Sequence, residues 1–403
     1  MPAGILILRA KGNQDVYLTA NPEMNIFQYV HYKYVNFSND IKRVHLSTTA
    51  SFGGSSYVII PKNGHLLSKM HLHLQIPALQ STELGKYACW SDALGYSIFD
   101  GPIELVIGGV IIDRIYPVGL DMLDELCIKT NGHNNMILKG DMYRDSMHNA
   151  DKLVNLIIPL NFWFTKHYSL ALPLLSMVNQ EIRINFSFKT FNSLINYDST
   201  IPPSPVNIIS SDVYVEYLFL DDVILNEFQG QKHQYIITQM VYNGDDIIPA
   251  NQDTFNTKID FINPCQELLF ACIDQNNLDN NNYFNYSRRS DESTLISQIK
   301  LLFDGNNRYD DNYLPEFIFR QFLPDKIHEN IPTKHMYTMP FCIKPNSFTQ
   351  MTGSANFSRF DEITLSLQMT PNNPKCKLYV FGMMINVVRI ENGILSLEFM
   401  NNN

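Results

Sequence analysis

Residues Leu156–Phe188 read LIIPLNFWFTKHYSLALPLLSMVNQEIRINFSF, and a fainter version returns at Tyr337–Leu367, YTMPFCIKPNSFTQMTGSANFSRFDEITLSL. One offset aligns both ends: Pro159 falls on Pro340 (340 − 159 = 181), and Glu181 falls on Glu362. Ile182, Ile184 and Phe186 then fall on Ile363, Leu365 and Leu367. In each copy an apolar strand ends in proline, a polar excursion follows, and an alternating strand opens on glutamate. The alternation sets Ile182, Ile184, Phe186 and Phe188 against Arg183, Asn185 and Ser187, as in a strand with one buried face. Chance similarity between two strand pairs is the alternative. The repeat predicts one all-β module built twice.

Working outward, other strands share that character. In Lys69–Ile76, Met70, Leu72, Leu74 and Ile76 alternate with His71, His73 and Gln75. Two histidines at i and i+2 can ligate a metal, but no third ligand lies nearby, so a solvent-facing row is the reading adopted. Ile103–Ile115 is a hairpin turned at Gly108-Gly109, where two glycines suit positive φ. It is no phosphate loop, since neither Gly-Lys-Ser/Thr nor a helix follows. Leu120, Leu123 and Cys127 predict a short helix over Gly119–Lys129, covering one barrel end. Residues 131–152 and 190–207 read as surface excursions, and Val213, Val215, Tyr217 and Phe219 close the first module. A short connecting helix is expected within 220–234, stopped by Gly230. Strands are predicted over Tyr235–Tyr242, Asn256–Ile262, Glu267–Ile273, Ile299–Phe303, Lys377–Ile390 and Ile394–Phe399. The Asn-rich 276–292 reads as a loop, and Tyr313–Ile327 as the counterpart of the first helical cover.

Strands this short bury one face on another sheet, and two-sheet jelly rolls also protect their edges. The expected class is all-β: two consecutive eight-stranded jelly-roll barrels with short covering helices and long loops. The expected organisation is an arm over 1–36, a first barrel over 37–220, a connector over 221–234 and a second barrel over 235–403. At 403 residues the chain is long enough for two cores.

With 45% hydrophobic and 17% charged residues, the composition is globular, and a net charge of −10 argues against a phosphate-binding role. The six cysteines lack ligand spacing and read as buried thiols of a reducing compartment. Ile5–Leu8 is too short for a signal sequence, so synthesis in cytosol is expected and the Asn-x-Ser matches at Asn36, Asn185, Asn285 and Asn356 read as accidental. Catalysis has little support. Asp221-Asp222, Asp245-Asp246 and Asp310-Asp311 are adjacent carboxylates that point apart, whereas a glycosidase needs a convergent pair. No Gly-x-Ser-x-Gly occurs. No enzyme activity, cofactor or metal is expected.

The first 37 residues carry a distinctive series: Ala10, Gly12, Gln14, Asp15, Tyr17, Leu18, Thr19, Asn21, Pro22, Phe27, Asn36 and Phe37. Gly12 and Pro22 break any long element there. Further on stand Phe162, Trp163, Phe164, Ala171, Leu172 and Pro173. Later come Met351, Gly353, Asn356, Phe357, Ser358 and Arg359, then Asn386, Val387, Arg389, Ile390 and Gly393. The series resembles the major capsid proteins of nucleocytoplasmic large double-stranded DNA viruses, with Met351 where that family has proline. The resemblance implies a double jelly roll, a homotrimeric capsomer of near-hexagonal outline and an icosahedral shell. It also implies neighbouring capsomers, minor capsid and penton proteins as partners, with room for an inner membrane beneath the shell and no direct nucleic-acid contact. Location would be the virion, and host cytoplasm during assembly. Gly12, Gln14, Asp15, Tyr17, Asn21, Pro22 and Phe27 would form an inter-capsomer arm. Phe162, Trp163, Pro173, Gly353, Asn356, Phe357, Arg359, Asn386 and Arg389 would be structural. A lower-copy capsid paralogue, a transient assembly scaffold of the same fold and a glycan-binding jelly roll stay open as alternatives.

Overall fold

The computed structural model describes residues 3–23, 25–27, 29, 31–127, 131–139, 152–228, 232–310, 312–347 and 350–399. Residues Met1–Phe37 form one compact unit and Ser38–Asn403 another. In the first, Ala3–Arg9 and Asn13–Thr19 are short helices. They are separated near Gly12, whose amide donates to Asp15 Oδ2 at 2.8 Å.

The principal strands of the first half are β1 (Phe37–His45), β2 (Ser55–Ile59), β3 (Leu66–Ile76), β4 (Ile103–Ile107), β5 (Val110–Ile115), β6 (Val154–Pro159), β7 (Ile182–Ser187) and β8 (Ser210–Leu220). The second half supplies β9 (His233–Tyr242), β10 (Thr254–Lys258), β11 (Pro264–Asp274), β12 (Ile296–Phe303), β13 (Asn306–Asn307), β14 (Met336–Pro340), β15 (Ile363–Met369) and β16 (Cys376–Glu391). The first half orders them β1-β8-β3-β6 in one sheet and β2-β7-β4-β5 in another. The second half orders them β9-β16-β11-β14 and β10-β15-β12-β13. Each strand therefore has its counterpart eight strands later, in the same place. Two facing antiparallel sheets wound in this order are a jelly roll, and the chain is a double jelly roll.

The repeat in the sequence is a repeat in register. Pro159 of β6 pairs with His71 of β3, and Pro340 of β14 pairs with Glu267 of β11. β7 runs between β2 and β4, as β15 runs between β10 and β12. Ile182, Ile184, Phe186, Ile363, Leu365 and Leu367 are all buried. Their two cores are largely separate apolar clusters. Burial of these side chains contributes roughly 2–3 kcal/mol each on transfer grounds. The predicted hairpin closes with positive φ at Gly108 and Gly109, and two further turns do so at Asp304 and Gly305 and at Asn392 and Gly393.

Four expectations about connecting segments change. The helix predicted at Gly119–Lys129 spans Pro117–Cys127 and packs between the barrels instead of over one barrel end. Of the excursion at 131–152, Asn131–Ile137 is helical with Ile137 buried, and 140–151 lie outside the described residues. Within 190–207, Phe191–Leu194 forms a 3-10 turn and Ile195–Tyr197 pairs with Ala88–Trp90, because Phe191, Leu194 and Ile195 are apolar enough to be drawn in. Within 276–292, Asn277, Phe284 and Tyr286 are buried, so that loop is anchored. The connector helix is Asp222–Phe228, and Gly230 lies outside the described residues.

Candidate assembly surfaces

The seam between the barrels begins with β11. Glu267–Ile273 reads ELLFACI, with no polar alternation after the glutamate. Leu268, Phe270 and Cys272 face the second core, while Leu269, Ala271 and Ile273 face outward. An outward apolar face needs cover, and Met122 and Leu126 of helix Pro117–Cys127 supply it, with Tyr286, Met336, Phe381 and Met383. The first core also takes in Ile237, Val388, Ile390 and Leu395 from the second half.

Charges sit inside this seam. Asp121, fully buried on the seam helix, accepts from Lys139 at 2.7 Å, Lys334 at 2.8 Å and the Tyr286 hydroxyl at 2.7 Å. Lys139 also reaches Glu125 at 3.2 Å. Burial alone would raise the Asp121 carboxyl, but two ammonium groups outweigh it and hold it down at about 2. Lys139, penalised by burial, is nonetheless raised by Asp121 and Glu125. Nearby, Asp113 accepts the Arg114 amide at 3.0 Å, yet burial pushes its carboxyl up to about 7. His328 and Glu267, both buried, meet at 2.6 Å.

Backbone stitches extend the seam. Gln180 of the first half donates to the Leu395 carbonyl at 3.1 Å and accepts the Leu395 amide at 2.5 Å. Thr333 donates its hydroxyl to Glu125 at 2.9 Å, and the Asn330 amide reaches the Leu126 carbonyl at 3.1 Å.

The residues singled out in the sequence fall into three groups. Phe162 and Trp163 are buried in the first core, and Pro173 pairs with Leu66. Gly353 has φ of 132°, and a Cβ there would come within 3.2 Å of the Phe341 carbonyl oxygen. Asn356 caps the 3-10 turn Phe357–Arg359, accepting from the Ser358 amide at 3.2 Å. Phe357 is buried and Arg359 exposed. Asn386 is fully buried. It donates to Gln239 at 2.9 Å and to the Phe399 carbonyl at 3.0 Å, and accepts the Phe399 amide at 3.2 Å, fixing the closing hairpin. Arg389 pairs with Glu398 at 3.0 Å.

In the arm, Gln14 and Asp15 lie on the second short helix and are exposed, Asn21 has positive φ, and Pro22 and Phe27 are exposed. The backbone of Tyr17 belongs to that helix, and its side chain lies outside the described residues. Ile5–Leu8, Ile26, Phe27, Tyr29, Tyr32 and Tyr34 are also open to solvent.

The adjacent carboxylates are engaged locally. Asp221 accepts the Asp222 amide at 2.8 Å, Asp245 pairs with Lys377 at 2.8 Å, and Asp246 accepts the Thr257 hydroxyl at 2.5 Å. Asp311 lies outside the described residues. His73 meets Tyr214 edge-on, and no metal-binding group of three His, Cys, Asp or Glu occurs among the described residues. The six cysteines are free. Sequence reasoning missed Asp121, Lys139, Tyr286 and Lys334. The uninterrupted apolar run of β11 was the available signal, since a strand with no polar face is covered on both sides.

Two barrels with one strand order, fused through a buried seam, define a structural building block of the double jelly-roll class. Known proteins place it further. Residues 25–221 match the family model for the major capsid protein N-terminus, and residues 226–396 match that for the large eukaryotic DNA virus major capsid protein. The chain belongs to this family of viral capsid proteins. The major capsid protein of Pyramimonas orientalis virus is 26% identical over the full length of both chains. That of Paramecium bursaria Chlorella virus 1 is 24% identical over 91% of this chain and 87% of its own. A quasi-atomic model of the PBCV-1 virus capsid superposes with a TM-score of 0.80 at 20% identity, covering 94% of this chain and 100% of that one.

Proposed function

We propose that this capsid protein works as a homotrimer, with barrels at 37–220 and 235–403 joined by the connector at 221–234. Three chains about a threefold axis set six barrels in a near-hexagonal ring, and hexagonal blocks tile the flat facets of an icosahedral shell. The observation that carries this reading is the matched strand order of the two halves, which gives a threefold object six similar sides. The task is mechanical and needs no reaction at any residue. Exposed Phe27 and the Ile5–Leu8 run supply apolar area with which the arm at 1–36 ties one capsomer to the next. Minor capsid and penton proteins would meet the block at its edges and at the fivefold corners.

Electron microscopy and sedimentation of the purified chain test the reading. A particle near 139 kDa (3 × 46.4 kDa) with a hexagonal outline is expected, and a strict monomer at high concentration overturns it. Deleting residues 1–30 is expected to leave the trimer folded while blocking shells; normal shells from that variant remove the arm from the account. Turnover of any member of an oligosaccharide panel would contradict a purely mechanical role.

A further inference from the structure

A cavity of about 540 Å³ lies beside the seam, and both halves of the chain build its walls. The first half lends Met70 of β3 and Leu120 and Leu123 of the seam helix. The second lends Met240 of β9 and Met383 of β16. Its volume falls within the roughly 300–1,000 Å³ of small-molecule sites. Polar groups enter from one place. Asn161, Thr165 and Lys166 belong to the loop after β6, and the Leu160 amide of that loop donates to the Met70 carbonyl at 3.0 Å. The loop is thereby held against the stretch of β3 that carries Lys69, whose ammonium sits 5.2 Å from the ring centre of Tyr168.

The lining charges leave a positive balance where the loop meets β3. Asp124 accepts from the Tyr96 hydroxyl at 2.6 Å and meets His133 at 2.8 Å. Asp113 accepts the Arg114 amide at 3.0 Å, and burial keeps its proton on up to about pH 7. Glu329 is exposed to solvent. Arg114 is paired with Glu104 at 3.2 Å, and burial, then Lys69, lower His71, which adds little charge at neutral pH. Lys69 and Lys166 carry the rest. Lys166 is half-buried, and burial pulls its amine down further than Asp113 holds it up. An ammonium in that setting gains from a further anion.

We propose that this cavity binds a medium-chain fatty carboxylate, its head on Lys166 and Lys69 and its chain along Met70, Leu123, Met240 and Met383. The walls select the class. A small inorganic anion would satisfy the lysines and forgo the apolar area. A neutral hydrocarbon would cover that area and leave the lysines without an anion. Methionine side chains are flexible and polarizable, so three of them suit an unbranched chain of no fixed shape. The ligand would touch both halves of one chain, and so would bind the folded seam and stabilise it by mass action. Nothing in this requires a second copy.

Titration calorimetry of the purified full chain at pH 7 tests the site, with sodium decanoate, sodium octanoate, decanol and decyltrimethylammonium, each below its aggregation concentration. Decanoate is expected to bind once per chain and to raise the melting temperature. Octanoate is expected to bind about fifteenfold more weakly, since each methylene withdrawn costs about fourfold (about 0.8 kcal/mol per CH2). Decanol and decyltrimethylammonium, which lack the anion, are expected to bind about tenfold more weakly or worse. Lys166→Met is expected to hold decanoate no better than decanol. Met240→Trp, which fills the chamber, is expected to lose every ligand. Circular dichroism and melting confirm folding; should a variant misfold, Lys166→Gln or Leu123→Trp takes its place. No saturable decanoate binding by wild type, equal binding of decanoate and decanol, or decanoate binding unchanged in a folded variant overturns the proposal.

Discussion

Asp121 brings a carboxylate from the first barrel into contact with an ammonium group from each half of the chain. Removing a buried ion's partner is costlier than the pair is favourable, because the remaining charge stays desolvated. Asp121→Asn takes the ion-pair partner from Lys334 and leaves Lys139 with Glu125 alone, and is expected to destabilise the protein by about 3–5 kcal/mol in chemical denaturation. The pH dependence has a definite sign. A carboxyl held at about 2 when folded, against 3.8 otherwise, stabilises at neutral pH and loses that contribution as pH falls from about 4 through 2. The contribution is about 2 kcal/mol. Asp113 has the opposite sign. Raised to about 7 by burial, it binds its proton more tightly folded than unfolded, so stability falls as pH rises from about 4 to 7. Asp113→Asn is therefore expected to melt higher than wild type at pH 8, by up to a few kcal/mol. At pH 4 the two should melt alike, and an equal shift at both values would contradict the assignment. None of these roles could be read from the sequence. Asp121 sits among helical residues that look solvent-facing, and Lys139 lies in a stretch that reads as a surface loop until Ile137 and the seam draw it inward.

At the scale of elements, β7 and β15 were legible and their environment was not. Alternation exposes which face of a strand is buried, because side chains point to opposite sides residue by residue. It does not tell what covers the other face. Gln180–Phe188 has polar outward residues, so one-sided burial was a sound reading. β11 has none from Leu268 to Ile273, and the partner of that stretch, helix Pro117–Cys127, comes from the other half, at a sequence distance no local pattern reports. The repeat itself was legible because Pro159 and Pro340, and Glu181 and Glu362, hold equivalent places at the ends of equivalent strands. The twin cores give a paired test. Phe186→Asp and Leu367→Asp each place an unpaired charge at a buried position, a cost that exceeds the few kcal/mol of spare stability in most domains. Each is expected to abolish soluble trimer, and milder Phe186→Ala and Leu367→Ala are expected to cost about 3–5 and 2–5 kcal/mol in denaturant titrations. Folded trimers from either Asp variant would show the inward face to be misassigned.

For the whole molecule, the two kinds of seam should come apart in a fixed order. Within the chain the halves share an apolar cluster, a buried charge group and backbone stitches through Gln180 and Thr333, so neither barrel has an independent surface to expose when the other melts. Between chains, the proposed trimer has no covalent tether. Mass action acts only on the second kind of contact, since chains that separate gain translational freedom and barrels tethered in one chain do not. Heating is therefore expected to give two steps. The first, dissociation to 46.4 kDa subunits, should move to higher temperature as protein concentration rises. The second, unfolding of both barrels together, should not move. Differential scanning calorimetry at a tenfold range of concentrations, with light scattering for mass, reads both steps. A first step independent of concentration, or two separate unfolding steps after dissociation, would mean that the halves are joined less tightly than the buried seam requires.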